Sequence, residues 1–165
     1  PFQSKVIDDM LKDHNIIDIF KDNIKLLSSI DNSIEINLKT LSDNIIINSD
    51  KEQLGRVIFN LIKNSIESIK QKSENNKDFD KEISIEIKDN YNHINIIIID
   101  NGIGFGIFAG NINDILNPYF TTKKDGTGLG LSIVSKIIND HNGKIEFIPI
   151  DDGAKVEINF KKDES

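Results

Sequence analysis

Ile94 and the run Ile96–Ile99 form an almost unbroken stretch of β-branched apolar side chains, closed by Asp100. A short continuous apolar run bounded by turn residues reads as a central strand covered by its surroundings. The segment before it, Ile83-Ser84-Ile85-Glu86-Ile87, alternates with period two and reads as a half-exposed strand. Between the two, Asp89-Asn90-Tyr91-Asn92 carries turn chemistry, which predicts a hairpin.

The rest of the chain arranges itself around that hairpin. Residues 1–12 read as a linker or the end of an upstream helical domain, and a first residue Pro1 in place of Met reads as a piece of something longer. From Asp13 to about Ser29 the apolar positions Ile16, Ile17, Phe20, Ile24 and Leu27 recur at helical spacing. Ile34–Leu38 and Ile45–Ile47 read as two short strands. A second helix opens at Ser49 or Asp50, with an apolar face through Leu54, Val57, Ile58, Leu61, Ile62, Ser65, Ile66 and Ile69, and residues 71–81 follow as a loop. A third helix spans Leu131–Asp140, closed by Asn142-Gly143, and a last hairpin joins Lys144–Pro149 to Ala154–Phe160 around Asp151-Asp152-Gly153. This order predicts an α/β two-layer sandwich, its mixed and mostly antiparallel sheet of about five or six strands packed on three helices.

Composition removes several function classes. The 165 residues include no cysteine, which excludes a disulfide framework, a thiolate metal site and a thiol nucleophile. Acids outnumber bases 27 to 20, for a net charge of −7, so the chain lacks the basic footprint of a nucleic-acid or anionic-membrane binder. No apolar run approaches the roughly 20 residues that span a bilayer, and no signal segment opens the chain. Ile makes up about a fifth of the residues and Asn matches Lys and Arg combined, a bias of AT-rich coding that makes any single Asn weak grounds for a role.

Against that background four features carry chemistry. Asp100 sits at the mouth of the apolar strand, followed by Asn101-Gly102-Ile103-Gly104. A carboxylate there is costly unless something donates to it, so it reads either as a turn residue or as a buried acceptor for an exocyclic amine such as adenine's, with Gly102 and Gly104 letting backbone approach the ring. Gly126-Thr127-Gly128-Leu129-Gly130 runs straight into a helix and reads either as a plain flexible loop or as a phosphate loop, since helix N-terminal N–H groups suit phosphate; it is neither a dinucleotide fingerprint nor a P-loop. Asn60 and Asn64, spaced i,i+4, project two amides from one helix face and read either as ordinary surface amides of an asparagine-rich chain or as holders of a hydrated metal ion and its phosphates. The loop Pro118–Lys124 offers Phe120 as an anchor, the hydroxyls of Thr121 and Thr122, and the ammonium groups of Lys123 and Lys124. His14, His93 and His141 suit neither a metal site nor a triad and are assigned to structure or surface.

Taken together and in this order, these residues resemble the ATP-binding catalytic domain of sensor histidine kinases, in the GHKL or Bergerat-fold ATPase superfamily. Asn60–Ser65 looks like its N box, Asp100–Gly104 its first glycine box, Tyr119–Lys123 its F box and Gly126–Leu131 its second glycine box. The wording of the first and third boxes is similar to the nitrogen-regulation (NtrY/NtrB-like) sensor kinases. The resemblance implies that Asp100 receives the adenine amino group, with Gly102 and Gly104 beside it, and that Asn64 and Asn60 hold Mg²⁺ and phosphate. It implies that Gly126, Thr127, Gly128, Leu129 and Gly130 wrap the phosphates of ATP, that residues 105–125 form a mobile lid anchored by Phe120 with Thr121 and Thr122, and that Lys123 contacts the γ-phosphate.

Three departures stand out: Ser65 replaces the usual Ala, an isosteric change of little expected consequence; Glu67 stands where some relatives carry a Lys; and Phe105–Asn113 lacks the lid's usual Ile-Pro and acidic residues. Members that hydrolyse ATP place a carboxylate where Asn60 stands, and an amide cannot act as that general base, which favours phosphoryl transfer over hydrolysis. The implied whole is a cytoplasmic kinase domain, monomeric alone. An upstream dimerisation domain supplies the phosphoacceptor histidine, a response-regulator receiver domain takes the phosphoryl group onward, and the full-length homodimer has its membrane anchor, if any, elsewhere. A GHKL-type ATPase and a non-catalytic nucleotide-sensing module remain the alternatives.

Overall fold

A computed structural model describes residues 11–104 and 129–162. In chain order the elements are β1 (Lys12–Asn15), α1 (Ile16–Ile30), β2 (Glu35–Thr40), β3 (Ile46–Ser49), α2 (Lys51–Ser73), β4 (Glu82–Asp89), β5 (His93–Asp100), α3 (Leu129–Asp140), β6 (Gly143–Ile150) and β7 (Gly153–Lys161). Five strands form one sheet in the order β2-β4-β5-β7-β6, and β1 pairs with β3 in a separate two-stranded ribbon. Within the sheet β2 runs parallel to β4 and every other pairing is antiparallel, the mixed sheet that the element order predicts.

The period-two alternation sorts the sheet into a helix-covered face and an open one. On the covered face Ile83, Ile85 and Ile87 of β4, Ile94, Ile96 and Ile98 of β5, and Val156, Ile158 and Phe160 of β7 are buried. They belong to one core with Phe20 and Leu27 of α1, Leu61, Ile62 and Ile69 of α2, and Val134, Ile137 and Ile138 of α3. Each such side chain contributes about 1.5–3 kcal/mol by leaving water, so the isoleucine bias builds the core directly. β5 is central, as its composition predicts. With only two layers, however, Ile97 and Ile99 face the open side and are half-buried rather than covered.

Three helix boundaries differ from the sequence reading. The first helix begins at Ile16, not Asp13, because the Asn15 carboxamide oxygen accepts from Ile17 N–H (3.1 Å) and from Ile45 N–H (3.0 Å). That second bond, from a residue 30 positions away, closes the end of the ribbon in which Lys12–Asn15 pair with β3. α2 continues to Ser73, into the segment expected as loop, and α3 starts at Leu129 rather than Leu131. The expected lid, residues 105–125, lies outside the described residues. No helix among the described residues is long and apolar enough to cross a membrane.

α2 and α3 are locked together by His141, which sequence alone left as structural. It is buried; Nδ1 lies 2.8 Å from the Ile137 carbonyl, and Nε2 accepts from the Asp50 N–H at 3.1 Å. That pairing fixes the neutral tautomer with the proton on Nδ1. Asp50 in turn caps α2, accepting from Glu52 N–H and Gln53 N–H at 3.1 and 3.2 Å. Replacing His141 by Ala strips the Asp50 N–H of its side-chain partner, leaves the Ile137 carbonyl only its backbone bond from residue 141, and opens a cavity. The expected loss is about 2–4 kcal/mol in urea denaturation, with an unchanged m-value.

Candidate functional site

β5 delivers Asp100 to the end of the sheet between Ile83 of β4 and Ala154 of β7, where it is only 5% exposed. One carboxylate oxygen accepts from the Gly102 N–H at 2.9 Å, a local Asx turn, and the Ser65 hydroxyl of α2 donates a further hydrogen bond. Burial pushes the Asp100 carboxyl above the usual carboxylate range, opposed by the Gly102 N–H, the Ser65 hydroxyl and the charge of Lys72. A carboxylate so held retains lone pairs for an external N–H donor.

The turn after Asp100 is seated on the backbone of α2. A Cβ on Gly102 would lie inside contact distance of the Ser68 hydroxyl, 2.5 Å from the Ser68 carbonyl carbon and 2.7 Å from Ile69 N. Gly104, at φ +70°, faces the β6–β7 turn, where a Cβ would run into the Gly153 carbonyl. The close approaches at these two glycines within the protein are to α2 and to a hairpin turn. Gly153 lacks a Cβ for the reciprocal reason, its neighbour being the Asp100 carbonyl.

Further bonds pin the turn. Ile103 N–H is shared between the Ser68 hydroxyl (3.0 Å) and the Ser68 carbonyl (3.3 Å), and Lys72 Nζ donates to the Asn101 carbonyl at 2.9 Å while lying 4.5 Å from the centre of the Phe79 ring. The Asn101 side chain accepts from Glu82 N–H (3.0 Å) and donates to the Asp80 carbonyl. Sequence reasoning missed Ser65, Ser68, Lys72 and Asn101. On the apolar face of α2 Ser65 reads as an inconsequential Ala substitute, yet it is buried and bonded to Asp100. A serine at a core position needs a partner, and that was the available signal.

Asn60 and Asn64 are half-buried on the same helix. Asn60, Asn64, Ser68 and Lys72 are spaced four apart, so they follow one strip of α2 that drifts by only about 40° per step. The far end of that strip is fixed to the Asp100 turn. Glu67 forms an exposed ion pair with Lys63 at 3.9 Å. Gly130 lies in the first turn of α3 after Leu129, while Phe120, Thr121, Thr122, Lys123, Gly126, Thr127 and Gly128 lie outside the described residues.

Known proteins share this arrangement. Residues 49–164 match the family described as histidine kinase-, DNA gyrase B- and HSP90-like ATPase. The chain is similar to the sensor histidine kinase ZraS of Salmonella typhimurium, 35% identical over 134 residues that are 80% of this chain and 27% of ZraS. It is also similar to a putative NtrY-like sensor histidine kinase of Rickettsia typhi, 33% identical over 74% of this chain and 21% of that protein. The chain thus spans about a quarter of the length of these relatives. The catalytic domain of histidine kinase ThkA superposes with a TM-score of 0.76 at 25% identity, covering 92% of this chain and 95% of the other. A structure of ThkA in complex with the response regulator protein TrrA superposes at 0.71, with 22% identity, over 93% of this chain and 42% of that one. With the mixed α/β sandwich, the buried Asp100 and the α2 amide strip already placed, this chain belongs to the histidine kinase-, DNA gyrase B- and HSP90-like ATPase family, and its relatives there are sensor histidine kinases.

Proposed function

We propose that this chain is the ATP-binding kinase domain of a two-component sensor histidine kinase. It positions the γ-phosphoryl group of ATP for attack by a histidine on a separate dimerisation domain, which passes the group to a response-regulator aspartate. The observation that carries the reading is Asp100: a carboxylate 5% exposed, fixed by Gly102 and Ser65, at the end of the helix strip that bears Asn60 and Asn64. In this reading Asp100 accepts the adenine amino group, and the Asn64 and Asn60 amide oxygens face Mg²⁺ and the phosphates. Bound magnesium supplies charge neutralisation for the transferring group. Gly126, Thr127, Gly128, Leu129 and Gly130 offer backbone N–H groups to the phosphates. Phe120, Thr121 and Thr122 order the lid, and Lys123 meets the γ-phosphate. An amide at position 60 has no basic lone pair to take a proton from water, which supports transfer over hydrolysis. The ThkA complex supports a receiver domain as the downstream partner. The domain would work on the cytoplasmic side, with dimerisation and any membrane anchor supplied by other parts of a longer protein.

Labelled ATP with Mg²⁺ and a supplied sensor-kinase dimerisation domain tests the reading. The expected product is an acid-labile, base-stable phosphohistidine on the supplied domain, with little free phosphate in its absence. Steady phosphate release without an acceptor would point to a hydrolase, and tight Mg-ATP binding with no transfer to a sensing module; either result sinks the proposal.

A further inference from the structure

The turn that presents Asp100 makes its side-chain contacts with α2 through an unusually thin seam. Gly102 contributes no side chain, so the turn backbone lies directly on the helix at Ser68 and Ile69. Two serine hydroxyls fill the seam: Ser65, 4% exposed, reaches the Asp100 carboxylate, and Ser68 accepts from the Ile103 N–H at 3.0 Å. One fixes the carboxylate itself and the other fixes the backbone three residues further on. Lys72 adds a third tie, to the Asn101 carbonyl, one helical turn beyond Ser68. Nothing else in the described residues donates to the Asp100 carboxylate except the Gly102 N–H of its own turn.

We propose that Ser65 and Ser68 are positioning residues that set the nucleobase selectivity of the site, by holding the Asp100 carboxylate where it discriminates a 6-amino from a 6-oxo purine. The inference rests on the reading of Asp100 as the acceptor for the adenine amino group. The physical reason is an asymmetry of donors and acceptors. A 6-amino group donates to a carboxylate, whereas a 6-oxo group presents an acceptor to it and leaves both unpaired in a buried place. That discrimination depends on the carboxylate being unable to swing away. A carboxylate tied only by its own Asx turn can rotate about χ2, a soft torsion for Asp, and the Ser65 hydroxyl removes that freedom. Ser68 does the same for the turn as a whole, because without its hydroxyl the Ile103 N–H keeps only the longer bond to the Ser68 carbonyl.

Calorimetric titration of the chain with ADP and with IDP, for the parent, Ser65→Ala, Ser68→Ala and the double variant, tests this directly. The parent should prefer ADP. Each single variant should lower the ADP-to-IDP affinity ratio by about fivefold and the double variant by more than about tenfold, almost wholly through ADP, since a hydrogen bond to a charged group is what is being misaligned. Thermal midpoints should fall by only about 2–4 °C per hydroxyl removed, with a cooperative transition retained, which separates positioning from loss of fold. An unchanged ratio in both single variants overturns the proposal, and so does a parallel loss of ADP and IDP affinity, the mark of a merely structural role. Asp100→Asn keeps the two claims apart. If the parent does not distinguish ADP from IDP, or Asp100→Asn preserves the preference, the adenine reading of Asp100 fails. If Asp100→Asn abolishes the preference while the serine variants retain it, only the positioning role fails.

Discussion

Replacing Asp100 by Asn should weaken ADP binding by one to two orders of magnitude and leave the fold at least as stable as before. The first half follows from the loss of a charge-assisted hydrogen bond, worth about 1.5–3 kcal/mol, at about 1.4 kcal/mol per tenfold in affinity. The Asn carboxamide can still accept from the Gly102 N–H through its oxygen, so the turn keeps its shape. Its NH₂ group is left facing the donor it should receive. The second half follows from electrostatics. Burial, the largest influence, raises the Asp100 pKa in the folded chain. The ionised group then costs stability relative to the unfolded chain. That cost is absent below the unfolded pKa, grows as pH rises between the unfolded and the raised folded value, and is complete above the folded one. Asn removes it. The variant should therefore show a thermal midpoint equal to or above the parent at pH 8, and below about pH 4, near the ordinary carboxylate pKa, the two should converge. Nucleotide binding has the opposite trend, since the carboxylate must be ionised to accept from the base. Unchanged ADP affinity in calorimetry would remove Asp100 from the site, and a midpoint far below the parent at pH 8 would show that the carboxylate is structural.

Elements built on local periodicity were legible from sequence. The hairpin of β4 and β5, the α2 cap at Asp50 and the closing β6–β7 hairpin rest on alternation, an Asx cap and turn residues, all encoded within a few positions. What could not be read is what depends on distant partners. Asp13–Asn15 looks like the start of a helix because Asp13 is as good a cap as Asn15 until the bond from Ile45 N–H decides between them. The same holds at the site. The spacing of Asn60 and Asn64 and the position of Asp100 are local facts. The seating of Gly102 on α2 joins positions 34 apart in sequence, counted from Ser68, and makes two ordinary serines part of the site. His141 shows the same: its contact with the Ile137 carbonyl, four residues back on α3, is local, and its second partner, the Asp50 N–H, arrives only when α2 and α3 pack.

Gly102→Ala should be the most damaging single substitution at the site, costing about 3–5 kcal/mol and abolishing ADP binding together. The new methyl would sit 2.5 Å from the Ser68 carbonyl carbon and 2.7 Å from Ile69 N, which are backbone atoms inside a 23-residue helix and cannot step aside as a side chain would. The turn has to lift instead. Lifting it releases the Ile103 N–H from Ser68 and the Asn101 carbonyl from Lys72, so lost hydrogen bonds of about 1 kcal/mol each add to an overpacking cost of about 1–3 kcal/mol. For a domain of this size, at roughly 2–4 °C per kcal/mol, the thermal midpoint should fall by about 10 °C. Because Asp100 is two residues away and shares the turn, its carboxylate moves with the backbone, and base recognition goes with it. A second substitution identifies the cause. Ser68→Ala removes the hydroxyl from the clash but leaves the backbone contacts in place, so Gly102→Ala/Ser68→Ala should remain as unstable as Gly102→Ala alone. Recovery of the parent midpoint in the double variant would mean that the helix backbone does not set the seam, and that the turn is free to settle wherever the side chain at 68 allows.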